Sequence, residues 1–169
     1  MQVVRNNQLQ YTLSHAHEPV ARVRPGEEFI VETEINVGDA MRTEADRLGP
    51  GKIRWPYVNP VTGPIYVETV NAGDVMVVYL HDIAIVPPVY CAIVPGWSAF
   101  SPWLGRDDFN YRTKVVRIEE GEIVWNDRLR FRAKPMLGTI GTAPVLQLEA
   151  VLQFPLFGPI HWTVKLGSV

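Results

Sequence analysis

The chain has one cysteine, Cys91, in 169 residues. A single thiol cannot close an intrachain disulfide, so the fold must rest on its core, and a reducing compartment fits that usage. The CxxC, HExxH, GxSxG, P-loop and GxGxxG patterns are all missing. Classical zinc, serine-hydrolase and nucleotide chemistry therefore have no support in the residues. Neither charge dominates: 16 Lys and Arg stand against 18 Asp and Glu, a net charge of −2. Without a basic surplus no nucleic-acid partner is expected, because phosphate contacts supply most of that affinity. Long hydrophobic runs are lacking too. The longest, Ile83 to Pro95, is broken by Pro87 and Pro88 and falls short of the roughly 20 residues that a spanning helix needs. The first residues, MQVVRNNQLQYT, have no apolar signal-peptide stretch. The expectation is a protein without membrane association, in the cytoplasm.

What the chain does have is β-forming sequence cut by turns. Its 14 prolines and 13 glycines separate short runs rich in Val, Ile and Tyr. The pattern predicts strands at Leu9–Leu13, Val20–Val23, Glu28–Ile35, Ile65–Val70, Val75–Ile83, Tyr90–Val94, Thr113–Ile118, Glu122–Trp125, Leu129–Arg132 and Pro135–Ile140. Hairpins are expected around Arg24–Glu27 and around Glu119–Glu122, where Gly121 suits positive φ. Gly38–Arg47 reads as a turn or two of helix, or as an ordered loop. At 47% hydrophobic residues, the chain can fill one core, so a single domain over 1–169 is expected. The class is all-β, a sandwich or barrel with Pro/Gly-rich loops. The C-terminal segment, 145–169, is apolar and must pack on its own core or on a partner.

Several residues are candidates for chemistry, each with a plainer alternative. His81 and Asp82 end a long strand and are either metal ligands or a surface pair. His15 and His17 alternate on one face and either chelate a metal with further ligands from elsewhere or are polar residues ending a first strand. Glu32 and Glu34 do the same within a hydrophobic strand, as solvent-facing side chains or a buried acid. Arg128, Arg130 and Arg132 alternate along one cationic strand face, either solvated or phosphate-binding. Cys91 has no basic neighbour in sequence and reads as a core residue. Trp97, Phe100 and Trp103 form an aromatic loop that either walls a pocket or caps the core.

The stretch Asn59–Glu68, NPVTGPIYVE, followed by Gly73-Asp74 and VMVVYLHDI, resembles a signature of the acetamidase/formamidase family. HEPVARVRPGE at His17–Glu27, the Glu32-Thr33 ending of FIVET, and KPMLGTIGTAP at Lys134–Pro144 are similar to further motifs of that family, in the same order. The resemblance runs from about Tyr11 to Glu149. It implies a jelly-roll-like β-sandwich and hydrolysis of a small aliphatic amide to ammonia and a carboxylate. It implies catalytic roles for His81, Asp82 and Glu32, and substrate binding by Asn59, Thr62, Gly63, Gly138 and Gly141. It also implies a divalent metal, Zn²⁺ or Ca²⁺, on His81, Asp82 and His17.

Two departures stand against this pattern. The family's E-T-x-D-A becomes Glu32-Thr33-Glu34-Ile35-Asn36, so Ile35 holds the place of the acid unless Asp39 compensates. The family's P-G-x-H-G-G-N-x-D motif is replaced by PLFGPIHWTV, with His161 as its only counterpart. The expectation is a homo-oligomer, or a complex with a complementary C-terminal subunit. The alternative is an inactive family member that serves as a small-molecule-binding or assembly module.

Overall fold

The structure, a computed structural model, describes residues 1–49, 51–95, 110–143, 148–149 and 160–167, the last two stretches by their backbone. The aromatic loop with Trp97, Phe100 and Trp103, and most of the apolar segment over 145–159, lie outside the described residues. In chain order the strands are β1 (Gln2–Val4), β2 (Leu9–Gln10), β3 (Thr12–Leu13), β4 (Ala21–Val23), β5 (Glu28–Glu32), β6 (Val61–Thr62), β7 (Ile65–Val67), β8 (Val77–Ile85), β9 (Val89–Ile93), β10 (Arg112–Glu119), β11 (Glu122–Asn126), β12 (Leu129–Arg132), β13 (Leu148–Glu149) and β14 (Ile160–Gly167). One 3-10 turn, Gly38–Ala40, is the only helical element among the described residues. The fold is all-β, and no described helix is long and apolar enough to cross a membrane.

The first sheet has the order β1-β5-β14-β8. β5 pairs in parallel with β1 and antiparallel with β14. The apolar C-terminal segment thus supplies an inner strand of the chain's own sheet. Alternation along β5 sorts its side chains. Phe29 and Val31 turn inward and cluster with Val4 and Val23. Burying each such side chain stabilises the fold by about 1.5–3 kcal/mol. Glu28, Ile30 and Glu32 occupy the opposite face.

The expected hairpin around Arg24–Glu27 does not form. The turn itself is there: Glu27 N–H donates to the Arg24 carbonyl at 3.0 Å, and Gly26 has φ 82°. However, β4 pairs in parallel with β7, and Val23 packs face-on against Phe29 and Val31. The turn carries the chain from one layer to the next, so the flanking strands meet through side chains rather than through backbone hydrogen bonds.

The second sheet has the order β12-β11-β10-β9 and is antiparallel throughout. Here the expected hairpin is present. Glu120 and Gly121 have φ of 52° and 80°, and two consecutive positive values are what a two-residue turn between twisted strands needs. β9 is buried on both sides, Val89 in one cluster and Tyr90 in another. Ile35, Met41 and Leu48, from the segment after β5, cover the Tyr90 side.

That covering segment is an ordered loop beyond Ala40. The Asp46 carboxylate accepts the N–H groups of Arg42 at 3.0 Å and Thr43 at 2.8 Å and binds Lys52 Nζ at 3.1 Å. These contacts, the backbone donors first, hold its carboxyl well below the usual carboxylate range. The Asp46 carbonyl accepts the Thr113 hydroxyl at 2.6 Å, and Glu44 accepts the Val115 N–H at 3.2 Å. The loop therefore seals the part of β10 that β11 leaves unpaired.

The expected strand Pro135–Ile140 is absent: residues 133–143 are irregular. Pro135 lacks a ladder donor, and Lys134, Met136 and Ile140 all lie exposed.

Candidate functional site

The NPVTG loop is fastened to the rest of the fold at four points. Asn59 N–H donates to the Asn36 carbonyl at 2.7 Å. The Thr62 hydroxyl donates to the Glu32 carbonyl at 2.6 Å. Val61 and Thr62 pair with Gln10 and Leu9. Val20 N–H donates to the Pro64 carbonyl at 2.9 Å. Asn59 sits at φ 54°, a left-handed conformation that Asn tolerates, and Gly63 at φ 145°, where only glycine is at ease. The carboxamide nitrogen of Asn59 is buried with no hydrogen-bond partner among the described residues.

Beneath this loop lies a buried polar pair. Asn36 Oδ1 accepts the Tyr90 hydroxyl at 2.9 Å. Burial, with a smaller contribution from Cys91, pushes the Tyr90 hydroxyl up to about 12. Tyr90 thus stays a neutral donor at physiological pH. Burial also pushes the Cys91 thiol up, so it is a poor nucleophile.

A cavity of about 330 Å³ opens beside the loop, and Val58 and Pro60, on either side of Asn59, line it. Tyr11 and Tyr57 form an aromatic wall, with ring centroids 5.4 Å apart and planes at 79°. Asp39 and Arg54 bring one negative and one positive group, and Val37 adds apolar surface. Among the described residues, neither Asp39 nor Arg54 is ion-paired with another side chain. A second concavity, lined by Arg22, Arg24, Glu27 and Glu68, differs in this respect. There Arg24 pairs with Glu68 at 3.2 Å and Arg22 stacks on Tyr66 at 4.5 Å.

The residues singled out from the sequence fall into separate groups. Asn59, Thr62 and Gly63 share the loop, and Thr62 ties it to Glu32. The Glu32 carboxylate is ion-paired with Arg5. His81 and Asp82 lie on exposed β8, two strands and about 10 Å across the sheet from β5. His81 is the extra residue of a bulge, since Thr163 pairs with Asp82 and Val164 with Leu80. Its Nε2 lies 3.7 Å from Glu28 Oε1. His17 Nε2 is 2.8 Å from the Thr12 hydroxyl. Gly141 lies so close to Leu13 that a Cβ there would sit 2.6 Å from its Cδ1. Gly138 is half-buried in the same irregular segment. His161 stands opposite Glu32 in backbone register.

Among the described residues no three His, Cys, Asp or Glu side chains converge as a metal cage. His17, His81 and Asp82 therefore do not fit a divalent ion as a set. The cavity's own residues, Tyr11, Arg54 and Tyr57, were missed because they are scattered along the chain without a motif. Asp39 carried a signal, as an acid four residues beyond the place that Ile35 holds. Asn36 and Tyr90 are 54 residues apart, and nothing local joins them.

A rigid loop beside a cavity of mixed charge has the concave form that small-molecule pockets take. The model of the Acetamidase/Formamidase family matches residues 12–153, and the chain belongs to that family. No curated protein matches it. Crystal structures that share its fold include three family proteins. The acetamidase of Bacillus halodurans aligns at TM-score 0.81 and 23% identity, over 97% of this chain and 68% of that one. The predicted acetamidase/formamidase of the thermophile Thermoanaerobacter tengcongensis aligns at 0.83 and 20%, over 99% and 69%. The acetamidase of Yersinia enterocolitica aligns at 0.79 and 18%, over 98% and 67%.

Proposed function

We propose that the chain hydrolyses an amide to ammonia and a carboxylate in the cavity beside the NPVTG loop. One observation carries this: the loop with the family signature lines the cavity through Pro60, next to Val58 just before it. A primary amide is neutral, with N–H donors at one end and a carbonyl acceptor at the other. Asp39 and Arg54 offer the matching acceptor and donors. Arg54 stabilises charge as it develops on the carbonyl oxygen. Asp39 takes the proton of an attacking water or holds the amide nitrogen. Asn59 and Asn36, fixed to each other through their backbones, keep this wall in place. A divalent ion, where bound, would polarise the carbonyl and acidify water. The described residues form no cage for it, so each step above rests on the chain's own side chains.

The test is ammonia release from formamide and acetamide by the purified chain, with and without Zn²⁺ and Ca²⁺. Release that falls at least tenfold in Asp39→Asn and Arg54→Leu supports this site. Release unchanged in both variants removes the site but keeps the activity. Release only with a complementary C-terminal subunit means a split enzyme. No release under any condition favours the binding or assembly module.

A further inference from the structure

The cavity is far larger than acetamide requires. It measures about 330 Å³, within the roughly 300–1,000 Å³ of pockets that take ligands much larger than acetamide. Acetamide brings a single methyl group beside its amide, and it would leave most of the wall wet. That wall is not polar throughout. Tyr11 and Tyr57 stand edge to face at 5.4 Å, and Val37, Val58 and Pro60 continue the apolar surface. The Tyr57 side is open, since the residue is 61% exposed. A tyrosine ring left in water beside a cavity is a surface that a second ring can cover, offset or edge-on. Charge is confined to Asp39 and Arg54, enough to hold one amide and no more.

We infer that the preferred substrate is a primary amide with a planar, apolar acyl group of the aromatic-carboxamide class. This deepens the proposed function and rests on the cavity being the amide site. Tyr11 and Tyr57 are then the specificity-determining residues: they touch the acyl group, while Asp39 and Arg54 hold the amide. Hydrolysis is balanced by water alone: the C–N bond breaks, a C–O bond forms, and the nitrogen leaves as ammonia.

The experiment compares kcat/KM for benzamide and acetamide by ammonia release, in the native chain, Tyr57→Ala and Tyr57→Phe. Covering ring surface favours benzamide by about ten- to a hundredfold. Tyr57→Ala narrows that ratio, chiefly by raising KM for benzamide, whereas Tyr57→Phe keeps the ring and the ratio. Tyr57 is largely exposed, and a native circular-dichroism spectrum checks that each variant folds. An equal or higher kcat/KM for acetamide overturns the inference and leaves the hydrolase intact. If neither amide is cleaved, benzamide titration by calorimetry separates the two ideas. Binding lost in Tyr57→Ala upholds the aromatic slot and overturns hydrolysis, and no binding overturns both.

Discussion

Tyr90→Phe probes the polar pair beneath the loop. The ring stays packed against Ile35, Met41 and Leu48, so no cavity opens. What goes is the hydroxyl that donates to Asn36 Oδ1 at 2.9 Å. Asn36 is only 8% exposed, so its oxygen is left without a donor in a place water does not reach. Leaving such a group unsatisfied costs about 1–3 kcal/mol. With a urea m-value of about 2 kcal/mol/M, the middle of the usual range, the unfolding midpoint falls by roughly half to one and a half molar. The loop should respond too, because the Asn36 carbonyl holds Asn59 N–H at 2.7 Å. Activity in the ammonia assay therefore drops along with stability. The double variant Tyr90→Phe/Asn36→Leu removes both polar partners and should regain part of the loss. An unchanged midpoint in Tyr90→Phe refutes the reasoning, and so does a double variant whose losses simply add.

Four further outcomes are expected. Below pH 10, Tyr90 keeps its proton folded or unfolded, and its contribution is complete. As pH rises from the ordinary 10.0 to about 12, the unfolded state ionises first and stability falls by roughly 2–3 kcal/mol, a slope that Tyr90→Phe should lack in urea titrations. Asp46 has a lowered pKa, so its contribution is present above the ordinary 3.8 and fades as pH drops below it. Asp46→Ala should therefore unfold at lower urea than wild type at pH 7, with the gap closing under acid. Gly63→Ala places a side chain at φ 145° and should cost about 1–3 kcal/mol, read from the thermal midpoint. Leu129 and Phe131 are exposed on the edge strand β12, and a homo-oligomer by light scattering is expected, whereas a monodisperse monomer removes it.

The sequence made local pairing legible and distant pairing not. The Glu119–Glu122 turn could be read because turn and strands are contiguous and Gly121 marks the positive φ. The Pro25–Gly26 turn looked the same, yet β4 pairs with β7, more than 40 residues on. No local signal distinguishes a turn within a sheet from one between layers. β1 was missed because its partner is β5, and a three-residue strand has too little period to read. The NPVTG loop was legible as a motif from its resemblance to the family signature. Its fastening to Asn36 and Glu32 was not, since those bonds involve backbone groups that every residue carries.

Positions 35 and 36, where this chain differs from E-T-x-D-A, take on a physical meaning once Tyr90 is placed. Ile35, where the family pattern has an acid, is 2% exposed and clusters with Tyr90, Met41 and Leu48. A carboxylate there would be a buried, unpaired charge, costing several kcal/mol. Asn36, where the pattern has alanine, accepts the Tyr90 hydroxyl. An alanine there would leave that hydroxyl without its acceptor. Both departures thus meet the same side chain, one packing its ring and the other satisfying its oxygen. Positions 35 and 36 are therefore physically coupled through Tyr90. Restoring the acid alone would break the core, and restoring the alanine alone would orphan Tyr90. The carboxylate that reaches the cavity is instead Asp39, on the 3-10 turn that follows. Position 35 belongs to the core and the carboxylate at the cavity is Asp39, which is why the site must be sought from the cavity outward and not from the motif.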